Sequence, residues 1–302
     1  MSEAPRIVRV LAPNPGPMTL EGTNTWIVGA AGAIVIDPGP DDEGHLQSVA
    51  REAGSVAAIL LTHHHPDHAP GAVWLARATG APVYGHRAQP GESPLPDGAE
   101  FRAGDGVLVR AVHTPGHTPD HVAFFAPAVA ALFTGDAVLG RGTSVIDPPE
   151  GDLAAYLRSL ETMLALEPRT IYPGHGPAVW SAVAKLGEYR SHREERERQV
   201  VEGLSEGPRT PEELVPDIYG AYPEELRPLA ARSVLAHLLK LEREGRAARV
   251  GPPRENRFEA ATPASCRRCG RPAMPRSTLC RTCGIEALQE RPASGDLPAS
   301  GS

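Results

Sequence analysis

The chain of 302 residues has no cysteine before position 266. That excludes a disulfide-built scaffold and, over most of the chain, a thiolate nucleophile or a cysteine-ligated metal. Aromatic residues make up only 5%, so unpaired bases would find few stacking platforms. Basic residues are outnumbered by acidic ones, 30 to 37, and the formal charge of −7 argues against a constitutive nucleic-acid coat without excluding a local basic site. No apolar run is long enough to cross a bilayer. The opening "MSEAPRIVRVLAPNPGP" has no continuous hydrophobic segment of the kind a leader peptide carries, and a cytoplasmic protein is expected. A Gly-x-Ser-x-Gly nucleophile elbow is missing too. What remains, 41% hydrophobic and 22% charged, is an ordinary globular composition with enough length for about two domains.

The cysteines that do occur fall in one stretch, "CRRCGRPAMPRSTLCRTCG", as Cys266, Cys269, Cys280 and Cys283. Two Cys-x-x-Cys-Gly turns read as a pair of zinc knuckles, each glycine letting backbone N–H groups close around thiolate sulfur. The competing reading, two disulfides, does not suit a cytoplasmic chain. Four thiolates leave no open coordination position, so this zinc is expected to be structural.

Along the chain, "RIVRVLAP", "TNTWIVGA" and "GAIVIDPG" are β-rich runs punctuated by glycine and proline, which predicts an antiparallel opening sheet. "DDEGHLQSVAREAG" has acidic residues in its first turn and a glycine at its end, as a capped helix has. "VAAILL" reads as a buried strand. Later, "GAPVYGH", "GVLVRAVHTPGH", "HVAFFAP", "AVAALFTGD" and "RTIYPGHG" read as further strands. Leu153, Leu157, Leu160 and Leu164 recur at helical spacing in "GDLAAYLRSLETMLALEP". A charged helix follows through "KLGEYRSHREERERQVVEGL". The order predicts an α+β sandwich of two sheets with helices outside. Past residue 205, two short helices, an amphipathic helix carrying Val234, Leu235, Leu238, Leu239 and Leu241, and a hairpin from "RAARV" to "RFEA" resemble a winged helix. The expected division is 1–204 sandwich domain, 205–262 winged helix, 263–285 four-cysteine zinc segment and 286–302 disordered tail.

The densest chemistry lies in "LLTHHHPDHAPG", residues 60–71. Residues two apart in an extended segment share a side, so His63 and His65 at a strand's end can grip one metal ion. Asp67 and His68 follow where the chain turns into a helix and can reach a second. His64 falls in an intervening position and is expected to face outward. Three later strand ends supply further donors in small-residue turns: His117 in "HTPGHT", Asp136 in "FTGDA" and His175 in "YPGHGP". The assignment is His63, His65 and His117 to one ion, Asp67, His68 and His175 to the other, and Asp136 bridging. A lone histidine after a strand is more often core or surface, but six spaced ligands and a bridge are not explained that way. His86, His113 and His121 divide evenly between packing and support of the site, with His121 the best placed, on a loop expected to line the cleft.

These motifs, with "NPGPMTLEGTNTWIV", "HTPGHTPDH" and "GDAVLGRGTSV", resemble the metallo-β-lactamase superfamily of binuclear zinc hydrolases over residues 5 to 200. The nearer likeness is to a subgroup that includes a mitochondrial single-strand endoribonuclease and fungal polyketide thioesterases. The resemblance implies a four-layer αβ/βα sandwich, and the four-cysteine segment is a departure from it. No cysteine stands between Asp136 and His175, the ligand of the commonest zinc β-lactamases. The acidic-aromatic continuation of glyoxalase II is also absent after "PGHGP". Both activities are therefore disfavoured.

The chemistry expected is hydrolysis. Water between two zinc ions falls toward a pKa of about 7, which supplies hydroxide at neutral pH. Asp67 is expected to orient that hydroxide besides binding metal. Substrate is a single-stranded RNA phosphodiester or an acyl thioester. Arg267, Arg268, Arg271, Arg276 and Arg281, with no acidic residue among 266–283, tip the reading slightly to RNA, although arginines beside thiolates also simply offset their charge. A different class, a DNA-binding regulator with a degenerate hydrolase domain, is opposed by the complete ligand set.

Overall fold

The computed structural model describes residues 5–261 and Cys269. Cys266, Cys280 and Cys283, and with them the expected structural zinc and tail, lie outside the described residues. β1 (Ile7–Leu11), β2 (Asn24–Val28) and β3 (Ala33–Ile36) form the antiparallel start of a six-stranded sheet. It continues in parallel through β4 (Val56–Leu60), β5 (Val83–Gly85) and β6 (Ser93–Pro94), in the order β1-β2-β3-β4-β5-β6. β7 (Glu100–Arg102), β8 (Leu108–His113), β9 (Val122–Ala126), β10 (Ala131–Gly135) and β11 (Thr170–Pro173) form a second sheet in the order β11-β10-β9-β8-β7.

Alternation along the strands divides the core into layers. Trp26, Val28, Ile34, Ile36, Leu60, Phe124 and Phe133 fill the space between the sheets. Their neighbours Ile27, Val35 and Ile59 point the other way, against α1 (Glu43–Ala53) and α2 (Gly71–Thr79). On the far side, Phe125, Leu132 and Ile171 pack against α3 (Leu153–Ala165) and α4 (Ala182–Leu204). The result is an α+β sandwich of four layers, αβ/βα. Strands buried on both faces read as continuous apolar runs, and each Ile or Val so buried contributes about 2 kcal/mol.

The leucine stripe of α3 is partly as expected. Leu153 and Leu160 are buried and Leu157 and Leu164 half-buried, while Tyr156 and Met163 complete the buried face. After α4 come α5 (Pro211–Tyr219), α6 (Arg227–Glu244) and an antiparallel hairpin of β12 (Ala247–Val250) and β13 (Arg257–Ala260). Val234, Leu238 and Leu241 of α6 are buried with Leu214, Ile218 and Phe258 in a core of their own, and Leu235 and Leu239 pack at its edge. This is the winged-helix arrangement. Among the described residues no helix is long and apolar enough to cross a membrane.

Candidate metal centre

The strand ends place seven donors together. β4 delivers His63, His65, Asp67 and His68, and the ends of β8, β10 and β11 deliver His117, Asp136 and His175. The donor atoms of His63, His65, His117 and Asp136 lie within 4.8 Å of one another, and so do those of Asp67, His68 and His175. Asp136 faces both groups. Its Oδ1 lies 3.3 Å from His175 Nε2 and 3.4 Å from His68 Nε2, while Oδ2 lies 3.8 Å from His117 Nε2.

Each histidine has one nitrogen turned to a protein partner and the other turned inward. His63 Nδ1 lies 2.9 Å from Thr62 Oγ1, which itself donates to Asp37, so His63 Nδ1–H is the donor to it. His68 Nδ1 donates to Asp37 at 2.9 Å, His117 Nδ1 to the Val145 carbonyl at 2.8 Å and His175 Nδ1 to the Gly22 carbonyl at 3.2 Å. His65 turns Nδ1 inward, 3.2 Å from His117 Nε2, and its Nε2 lies 3.6 Å from Glu150. Fixing one nitrogen selects the tautomer that leaves the other bare, as metal-binding imidazoles require.

Three observations fit this donor set to metal ions. Among the described residues His63 Nε2 and Asp136 Oδ1 are buried without a hydrogen-bond partner, an expensive state for polar atoms unless something else satisfies them. A Cβ on Gly174 would lie 2.6 Å from Asp136 Oδ1 and 2.7 Å from His68 Cε1, so only glycine lets β11's turn approach the cluster. The electrostatics differ between the two groups: burial pushes His63 and His117 below the ordinary imidazole range, whereas positive charge is favoured beside Asp67 and Asp136. Burial opposes it, yet Asp136 and Asp37 push the His68 imidazole well above its ordinary range, and Asp136 and Asp67 push His175 up to about 9. Asp136 in turn is held well below the carboxylate range, against burial, by His68 and His175.

Several supporting residues were not singled out by the sequence. Asp37, in the left-handed region at φ +51°, accepts from Thr62 N, Thr62 Oγ1 and His68 Nδ1, and thereby orients both halves of the first motif. Its only sequence signal is a carboxylate closing the apolar strand in "AIVIDPG". Asn24 Nδ2 donates to the Pro173 and Gly176 carbonyls and Trp26 Nε1 to Pro173, which sets the turn bearing His175.

His64 does point away from the donors, but it is not the bystander its position suggests. It is clamped between Asp120 at 2.5 Å and Glu92 at 3.0 Å. The hydrogen bond to Asp120 raises its imidazole to about 9, with burial opposing and Glu92 adding. His121 is fully buried rather than exposed in the cleft. Its ring lies 5.3 Å from that of His63, Nδ1 is 2.9 Å from Thr114 Oγ1, and burial pushes its imidazole down to about 3. His86 and His113 stack on each other at 4.0 Å, bonded to backbone carbonyls of Leu95 and Pro119.

The cluster opens into a cavity of about 200 Å³ lined by Met18, Val145 and Leu229 besides donors of both groups, with Asp147 and Glu150 at its edge and, among the described residues, no lysine or arginine. A neighbouring cavity of about 400 Å³ shares His65 and Glu150 and carries Arg87, Gln89 and Asp120.

Comparison with known proteins agrees with this geometry. Residues 18–175 match the profile of the metallo-beta-lactamase superfamily, and residues 210–254 that of the beta-lactamase associated winged helix domain. The chain is similar to a beta-lactamase-like protein 2 homolog of Drosophila melanogaster, 36% identical over 284 residues that cover 86% of this chain and 95% of the relative. It is also similar to an atrochrysone carboxyl ACP thioesterase of Aspergillus chevalieri, 38% identical over 252 residues, covering 78% and 80%. Among solved structures, a metallo-beta-lactamase family protein of Thermus thermophilus superimposes with a TM-score of 0.71 at 25% identity, covering 84% of this chain and 98% of that one.

Proposed function

Since the chain belongs to the metallo-beta-lactamase superfamily of metal-dependent hydrolases, we propose that it is a binuclear zinc hydrolase whose substrate is an acyl thioester. The observation that carries the binuclear reading is Asp136, with one carboxylate oxygen toward each donor group. In this reading His63, His65 and His117 hold one ion, Asp67, His68 and His175 the other, and Asp136 is shared. Nitrogen and carboxylate donors suit zinc, and mass spectrometry of the purified protein identifies the metal. Bound there, the ions would supply Lewis acidity for the carbonyl oxygen and a water with a pKa near about 7.

The chain's own groups do the rest. Asp67 is the catalytic residue: its carboxylate, held down at about 2 by His175 and His68 against burial, stays ionised to orient the attacking water and accept its hydrogen bond. Thr23 Oγ1, 3.3 Å from Asp67 Oδ2, fixes its rotation. Met18, Val145 and Leu229 provide an apolar wall that seats an acyl group and excludes bulk water.

The thioester reading rests on that wall and on the thioesterase among the relatives. A polyanionic strand would meet Glu150 at the mouth, beside an Asp147 already paired with Arg232, and no cation among the described residues lines the cavity itself. Single-stranded RNA is the second reading, favoured by Arg87 beside the neighbouring cavity. Domain limits of 1–204 and 205–262, and a structural zinc on the four cysteines, belong to the same proposal.

The test pairs metal analysis with hydrolysis of an acyl thioester and of a single-stranded RNA oligomer, for the wild type and His63→Ala. The expected result is about three zinc ions per chain, thioester cleavage, and loss of activity with part of the metal in the variant. A wild type that holds no active-site metal and cleaves neither substrate sinks the reading, whereas cleavage of RNA alone replaces the substrate class.

A further inference from the structure

Between β10 and α3 the chain runs from Asp136 to Asp152 without strand or helix, yet much of it is buried. Buried backbone groups need partners, and three buried side chains from the outer helices supply them. Tyr156 of α3 donates to the Ala137 carbonyl at 2.6 Å. Tyr189 of α4 accepts from Leu139 N and donates to the Gly142 carbonyl, both at 3.0 Å. One turn further along α4, Arg193 donates from Nη2 to the Ser144 carbonyl.

Arg193 differs from the two tyrosines. It is only 3% exposed, forms no ion pair among the described residues, and its Nε has no acceptor. A buried guanidinium without a carboxylate is costly, and packing alone would be served better by methionine or leucine. What it grips explains the choice. The Ser144 hydroxyl donates to the Asp136 carbonyl at 2.5 Å, and the Val145 carbonyl accepts from His117 Nδ1 at 2.8 Å. The segment that Arg193 fixes is thus tied on one side to the main chain of Asp136 and on the other to the His117 imidazole.

We propose that Arg193 is a positioning residue for the metal centre, acting through the Ser144–Val145 segment on His117. The inference rests on the binuclear reading above. It also gives the winged helix a route to the site, because Arg193 Nη1 reaches Ser233 Oγ of α6 at 3.5 Å. The ion held by His63, His65 and His117 depends on this contact, while the group of Asp67, His68 and His175 is oriented by Asp37, Gly22 and Thr23 and does not.

The experiment titrates zinc into metal-stripped full-length protein against a chromophoric chelator, for the wild type, Arg193→Met, Arg193→Lys and Arg193→Gln. Support is a wild type with two active-site ions, one of which binds about 10- to 100-fold more weakly in Arg193→Met while the other is nearly unchanged, and is partly restored in Arg193→Lys. Equal affinity in wild type and Arg193→Met overturns the inference alone, as does equal weakening of both ions, which a merely structural role would produce. A wild type that binds no active-site zinc overturns the binuclear reading, and this inference with it. Should Arg193→Met fail to fold, Arg193→Gln decides: selective weakening of that ion supports the role, and unchanged affinity removes it.

Discussion

At the scale of single residues, the centre is held by contacts whose failure can be read in metal content. Asp136→Ala removes the one carboxylate that faces both donor groups, and is expected to lose zinc and activity together. Retention of two ions would count against its shared role. Gly174→Ala is a subtler test, because the added methyl would overlap Asp136 Oδ1 and His68. It is expected to reduce bound metal and to lower kcat/KM more than about tenfold, both measured on the same preparation. The seven donors are legible in the sequence because each stands at the end of an apolar strand, in a pattern no packing role requires. Asp37 and the Asp120–Glu92 clamp on His64 are not, since their partners lie 25 to 56 positions away and only strand pairing and the meeting of the two sheets bring them near.

At the scale of elements, caps and periodicity carried most of the information. Asp42 and Gly54 bracket α1, and Asp152 caps α3 by accepting from Ala155 N. The two- and three-residue strands β6 and β7 have no periodicity to show, and the sequence does not reveal them. Asp152 has a second task, an ion pair with Arg243 of α6 at 2.5 and 3.0 Å. Asp152→Ala is expected to cost about 1 kcal/mol for the cap. The half-exposed ion pair should add less than about 1 kcal/mol. Asp152→Asn keeps the cap and loses only the pair. The Arg243 hydrogen bond lowers the carboxyl's pKa, with burial opposing, so its contribution is present above the unfolded value near about 3.9 and lost as pH falls through the folded one. Urea denaturation should therefore show a gap between wild type and Asp152→Asn that holds from about pH 7 to about pH 5 and closes below about pH 4. A gap that persists at the acid end would assign the effect to something other than charge.

At the scale of the molecule, both the sandwich and the winged helix follow from the order of strands and helices. How the two meet does not, because nothing in the spacing of α6 says which partner its second face takes. In the structure Arg232 binds Asp147 and the Pro148 carbonyl, Arg243 binds Asp152, and Ala236 joins the hydrolase core. The helix that enters the major groove in DNA-binding winged helices is therefore engaged by the 147–152 loop. A gel shift with random duplex DNA across a salt series is expected to show no retardation with steep salt dependence. Such retardation would revive the regulator reading.

The seven donors also come from both sheets, four after β4 of the first and three after β8, β10 and β11 of the second. Ions gripped there would rivet the two leaves of the sandwich together at one edge. Stripping them with a chelator removes the rivet as well as the reactivity. At roughly a thousandfold excess over the dissociation constant, one ion is worth about 4 kcal/mol to the folded state. The stripped protein should accordingly melt earlier and over a wider span of temperature, its leaves parting in sequence. Zinc should restore a single sharp transition, which makes a melting curve a gauge of occupancy that needs no substrate.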